Sequence, residues 1–442
     1  MDRRSFVGGA LALGGLGMLG TRPSIAADLE WIGQIGPPDG RGVALAPGFT
    51  SRLIAQSSAP PVGLDGLPWH TSPDGAATFP RADGGWVLVS NAELPLVGGA
   101  SALHFDPSGE PTSLRRVLTN TSINCAGGPT PWGTWLSCEE HEDGRVWECD
   151  PLGTADDARP RPALGRFTHE AAAVDPEGGI VYLTEDRSDG LLYRFRPDEP
   201  GTLTAGILEA ARVRADGSVD WLAVPSPATG SGEDPLRRRV PEATAFRRGE
   251  GAWLADGTLW FATTGDATLW RFEIAENLLT IAHRGSDPGS PLQGPDNVVV
   301  SPSGHVMVAE DGGNLELVVV TATGDARPLL RFEGPLHEGS EVTGPCFSPD
   351  GTRLYVSSQR GGPGGAGMTV EVTGPFPGPK PADPAPVRDR TSTSTAERSA
   401  ANTTLTTAAS DGGGYPVVLV GTTAAIAVAA AGAAAVAIRR RR

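Results

Sequence analysis

Residues 124–140 read NCAGGPTPWGTWLSCEE. A polar start, a turn rich in glycine and proline, a short apolar strand and a carboxylate pair follow one another within this single segment. Strand side chains alternate between faces, and tight turns favour Gly, Pro, Asn and Asp. The segment therefore predicts a β-hairpin whose open ends, Cys125 and Glu139-Glu140, meet at one edge.

The pattern returns along the chain: ADGGWVLVSNAE from Ala82, DPEGGIVYLTED from Asp175, ADGTLWFATTGD from Ala255, SPSGHVMVAEDG from Ser301 and SPDGTRLYVSSQ from Ser348. With Gly128 for the opening hairpin, most starts are spaced by about 45 residues, and one gap, near 80, spans an insertion from Pro197 to Glu242. Repeats of roughly 40–50 residues built from strand pairs and Gly/Asp turns are the mark of propeller blades. No long segment carries helical periodicity. The fold expected is all-β, a β-propeller of about six blades with extra loops.

The strand before each turn begins on a polar residue, and in a hairpin that start lies beside the end of the next strand. Glu170 is thereby set facing Glu185 and Asp186, and Asp296 facing Glu310 and Asp311. Glu250 approaches Asp266, and Cys125 approaches Glu139 and Glu140. If these ends converge on a central channel, a dense carboxylate cluster forms, and like charges so close do not all ionise without compensation. Protons or multivalent cations answer this, and cations are the reading preferred. Oxygen-rich sites suit calcium, whereas a thiolate is a softer ligand suited to iron or zinc. On the residues alone, Cys125 stays open between a buried thiol and a ligand. Cys138 and Cys149 read as core thiols or a local disulfide, and Cys346 as core. Four cysteines are too few to frame a chain of this size.

The hairpin NCAGGPTPWGTWLSCEE, with GRFTHEAAAVDPEGGIVYLTED, FRRGEGAWLADGTLWFATTGD, GPDNVVVSPSGHVMVAEDGG and EVTGPCFSPDGTRLYVSSQ in the same order, resembles the PhoX-type alkaline phosphatase family of exported bacterial propellers. The resemblance implies hydrolysis of phosphate monoesters at an iron–calcium cluster in the channel. It implies that Cys125 is the thiolate on ferric iron, with Glu139 and Glu140 as neighbouring ligands and Glu170 as a carboxylate on the cluster. It implies that Arg248 is the catalytic residue contacting phosphate and that Glu250 binds calcium, with Asp296, Glu310 and Glu341 completing the calcium shell. Arg360 and Ala92 stand where related sequences often carry histidine.

The ends of the chain carry a second set of expectations. Arg3-Arg4 ahead of a short Gly/Ala/Leu run, with small residues at Ala26-Ala27, read as a twin-arginine signal peptide over 1–27. Residues 28–373 then form the propeller, and 374–415, rich in Pro, Thr, Ser and Ala, a disordered stalk. The uncharged run 416–438 is long enough to span roughly 30 Å of hydrocarbon, and the arginines of 439–442 would stay cytoplasmic. The expectation is an exported monomer anchored at the cell surface. A net charge of −16 argues against a nucleic-acid partner. Neither a G-x-S-x-G elbow nor a Walker phosphate loop occurs. The alternatives are a calcium-dependent lactonase-like propeller, which has no obvious use for Cys125 or Arg248, and a non-catalytic binding propeller.

Overall fold

The computed structural model describes residues 29–379, apart from 229–233, 363–364 and 366. The expected signal peptide, apolar span and basic tail, and the stalk beyond residue 379, lie outside the described residues. No helix among the described residues is long and apolar enough to cross a membrane.

Six antiparallel sheets make a six-bladed β-propeller. From blade 1 to blade 6 the inner strands are Pro73–Pro80, Asn124–Pro129, His169–Val174, Gly249–Ala255, Pro295–Val300 and Val342–Phe347. Their hairpin partners are Trp86–Ala92, Trp135–Glu139, Val181–Glu185, Thr258–Thr263, Val306–Glu310 and Arg353–Ser358. Each inner strand touches those of the blades on either side, and the last touches the first. The ring is fastened by an early segment: Thr50–Gln56 pairs with Met368–Thr373 as the outer strand of blade 6. Val43–Leu45 adds a fifth strand to blade 5. The insertion expected after Pro197 supplies the last two strands of blade 3, Gly206–Val213 and Val219–Ala223, and a short helix, Leu236–Arg239.

The apolar core lies between adjacent blades rather than on the axis. Ala77, Val87, Val89 and Ala102 of blade 1, for instance, share a cluster with Trp135 and Cys149 of blade 2. Each fully buried Val or Leu contributes roughly 1.5–3 kcal/mol, so stacking blade on blade is what holds the ring. On the axis the inner strands come too close for side chains. A Cβ on Gly75 would lie 2.5 Å from the Ala126 backbone, and one on Gly344 2.5 Å from the Asp74 carbonyl oxygen.

All four cysteines are buried free thiols. The local disulfide considered for Cys138 and Cys149 does not form, because register pairs Cys138 with Val146 and Cys149 with Trp135. At the end of the propeller, Phe376 packs edge-on against Phe49 and Phe347, so the chain stays on the folded body past residue 373.

Candidate metal centre at the channel mouth

One irregularity, repeated six times, builds the site. Every inner strand carries a register shift just after its first residues, between Pro73 and Ala76, Asn124 and Gly127, His169 and Ala172, Gly249 and Ala252, Pro295 and Val298, and Thr343 and Cys346. Bulges re-aim side chains. At each bulge stands one residue of an inner ring: Asp74, Cys125, Glu170, Glu250, Asp296 and Thr343.

A second ring follows from the partner strands. The residue just past each one donates its backbone N–H to the carbonyl two residues before the inner-ring residue. The six bonds are Glu93 to Ser72 (3.0 Å), Glu140 to Ile123 (2.8 Å), Asp186 to Thr168 (3.2 Å), Thr264 to Arg248 (3.1 Å), Asp311 to Gly294 (2.8 Å) and Gln359 to Glu341 (3.0 Å). The accepting residues form a third set, which holds both Arg248 and Glu341. Ser72, Ile123 and Arg248 within it share a left-handed backbone, φ 49°, 50° and 55°. Arg248 thus shares its backbone conformation with the corresponding residues of blades 1 and 2.

The rings bring most of the expected ligands together. Ligand atoms of Cys125, Glu140 and Glu170 lie within 4.8 Å of one another, as do those of Glu170, Glu250 and Asp296. Glu170 belongs to both groups and is 1 % exposed, yet neither of its carboxylate oxygens has a hydrogen-bond partner. Burial, reinforced by the neighbouring carboxylates, holds Glu140, Glu170, Glu250 and Asp296 well above the usual carboxylate range. Burial and the adjacent Asp74 likewise push the Cys125 thiol up, and its S–H points to Asp74 Oδ2 at 3.6 Å. Asn91 braces this turn, donating to the carbonyls of Cys125 (3.0 Å) and Ala126 (2.6 Å).

Three expected ligands lie outside these groups, two of them for one reason. Glu139 and Glu310 end their strands, and a shift of one residue sends a side chain to the opposite face. Glu139 accepts the N–H groups of Ser122 (3.0 Å) and Arg145 (3.2 Å), and Glu310 accepts that of Gln293 (2.5 Å). Glu185, in the same position of blade 3, binds Arg237 and the Tyr193 hydroxyl (both 2.9 Å). Glu341 is not in either group but sits at the rim, ion-paired with Arg360 at 3.2 Å. In blade 4 the second-ring place belongs to Thr264 rather than to Asp266, which accepts the Thr263 hydroxyl in a turn.

Arg248 leans over the rings. Asp186 grips its guanidinium at both ends, 2.9 Å and 3.0 Å, Glu250 lies 3.1 Å away and Asp311 3.7 Å. Arg360 is its counterpart from blade 6, paired with Glu93 at 2.5 Å as well as with Glu341. The two side chains are 39 % and 38 % exposed, so each is partly open to solvent. Asp74, Glu93, Asp186, Asp311 and Arg360 are the site residues that sequence reasoning did not name as ligands or anion contacts.

The residues that follow the six inner-ring positions are small, Gly75, Ala126, Ala171, Gly251 and Gly344, with Asn297 the one larger among them, and they line the axis below the rings. Asn297 donates to Asp296 (3.0 Å) and accepts from the Gly344 N–H (2.6 Å).

Residues 111–277 and 270–362 match the sequence model of a family described as alkaline phosphatase PhoX. Among solved structures, the PhoX of Pseudomonas fluorescens in complex with vanadate, a transition-state analogue, is 18 % identical. The alignment covers 78 % of this chain and 98 % of that one, with a TM-score of 0.64. A gluconolactonase from Xanthomonas campestris is 14 % identical over 80 % of this chain and 99 % of its own, with a TM-score of 0.46. No curated protein sequence matches the chain.

Proposed function

Since the chain belongs to the alkaline phosphatase PhoX family, we propose that it hydrolyses phosphate monoesters at the two rings of the channel mouth, with iron and calcium held there. Glu170 is the observation that carries this reading. A buried carboxylate with no hydrogen bond on either oxygen, among other carboxylates, is a costly arrangement without a cation. Cys125, Glu140 and Glu170 would hold iron, the thiolate being the soft donor. Glu170, Glu250 and Asp296 would hold calcium, an all-oxygen set suited to a hard cation. Such metals, when bound, supply positive charge to the phosphoryl oxygens and acidify water for attack.

The chain's own residues do the rest. Arg248 presents a planar fork to two phosphoryl oxygens and stabilises the charge that spreads over them in the transition state. Asp186 fixes the plane of that fork through two parallel bonds. The small residues below the rings leave little room on the axis for a substrate. In an acidic protein, Arg248 and Arg360 with the bound cations give the mouth the local positive charge that an anionic ester needs.

Export by the twin-arginine route and anchoring through 416–438 remain part of the proposal, supported by Arg3-Arg4 and by that uncharged apolar run; so does a monomeric state. The test is metal analysis and p-nitrophenyl phosphate hydrolysis on one purified sample. Iron, calcium and an activity lost on chelation are expected; a folded protein with calcium alone contradicts the assignment of iron to Cys125.

A further inference from the structure

Away from the channel, the outer part of blade 1 holds a cleft of 410 Å³, a size within the roughly 300–1,000 Å³ of small-molecule sites. The linker entering the blade forms one wall, through Trp69 and Thr71, and the strand ends of blade 1 form the others, through Leu94, Val97, Arg116 and Asn120. No Asp or Glu lines it, although the chain has 52 acidic residues against 36 basic ones.

Arg116 is the reason to look further. It donates to the Ser101 hydroxyl and to the Pro68 carbonyl, both at 2.7 Å, and forms no ion pair among the described residues. Burial alone lowers its affinity for a proton, with no carboxylate to offset it. A half-buried guanidinium facing a cavity without a counter-charge has donors and field to offer an anion. The rest of the wall is neutral: burial, then Arg116, push His70 down to about 3, so that it stays uncharged between Ser101 (2.8 Å) and Ser90 (3.2 Å).

The rim adds an apolar element. Leu96 and Val97 are 84 % and 69 % exposed, and Leu96 is held at φ 66°, a conformation a branched side chain rarely adopts. A loop that spends strain to keep two large apolar side chains in water, beside a cleft with an unpaired cation, matches an amphiphilic ligand.

We propose that this cleft is a second, non-catalytic binding site for a small organic anion with an apolar body, its oxyanion on Arg116 and its body against Leu94 and Val97. The inference does not depend on the phosphatase reading. Benzoate is the probe, titrated calorimetrically into the purified metal-loaded protein, with benzamide as its neutral counterpart. Saturable benzoate binding with a Kd below about 1 mM is expected, with benzamide silent. Arg116→Gln should weaken it by about tenfold or more, the loss of a charged hydrogen-bond partner. Val97→Asp, an exposed rim change that leaves the fold intact, should also weaken it, and decides the matter if Arg116→Gln does not fold. Arg248→Ala should leave it unchanged. Absence of saturation up to about 10 mM, equal binding of benzamide, or loss in Arg248→Ala but not in the cleft variants would each overturn the proposal.

Discussion

Glu139 and Glu140 are neighbours in sequence and opposites in environment. Glu139 lies at the end of its strand, answered by the N–H groups of Ser122 and Arg145 and by nearby His141. Although burial opposes its ionisation, these partners hold its carboxyl below the usual value. Glu140, one residue on, turns into the channel, where burial and Asp186 hold it well above. Glu185 and Glu310 hold the same strand-end places and accept hydrogen bonds there, although burial keeps both high, at about 7. Asp186 and Asp311, just beyond them, face Arg248. Glu139 is satisfied by the protein; Glu140 faces a crowd of its own kind. The lesson is that the candidate metal centre is defined by unmet need rather than by the presence of acid.

The comparison breaks most easily at Glu170. Glu170→Gln should abolish metal retention and lower kcat/KM by about 100-fold or more, while the metal-free protein becomes no less stable, because an uncompensated buried charge is gone. A large drop in the melting temperature of the metal-free variant would mean that Glu170 is an ordinary structural carboxylate. Arg248→Ala should retain its metals but lose roughly 100-fold in kcat/KM, the scale of removing one preorganised donor. Full activity in that variant would remove the arginine from the reaction.

Glu139→Gln should do the reverse of Glu170→Gln. Metals and activity per folded molecule are kept, and stability to denaturant falls by about 1–3 kcal/mol as charged hydrogen bonds are lost. The smallest effect is in pH. Asp74 is pushed up to about 6, and Glu93 and Glu341 to about 7, in each case by burial first. Raised carboxyl groups contribute stability that is present at low pH and lost as pH rises through these values. Chelated protein should therefore gain stability between about pH 8 and pH 6, and metal-loaded protein should gain less. Equal slopes for both forms would say that cations do not occupy the rings.

Much of this architecture was legible in the sequence. Glycine turns at a regular period mark six hairpins, and six blades are found. Cys125, Glu140, Glu170, Glu250 and Asp296 were named, and they converge. What the sequence concealed was register. A bulge in every inner strand shifts the pairing, and without it Glu139 and Glu310 are as plausible as the residues beside them. The inner strand of blade 1 was hidden by a local disguise. Ser72–Gly75 reads SPDG, the same four letters as the true turn Ser348–Gly351, yet it begins an inner strand and carries Asp74 onto the axis. Its place a few residues ahead of the Asp83–Gly85 turn was the signal available. Arg360 follows a strand that ends in serines, so no carboxylate pattern pointed to it.

The central claim is that the ring carboxylates hold metal and the strand-end carboxylates hold the fold. Iron and calcium content, measured on purified wild type, Glu170→Gln and Glu139→Gln side by side, tests it most directly. Both metals should be present in wild type, kept in Glu139→Gln and lost in Glu170→Gln; metals kept in Glu170→Gln, or lost from folded Glu139→Gln, would contradict it.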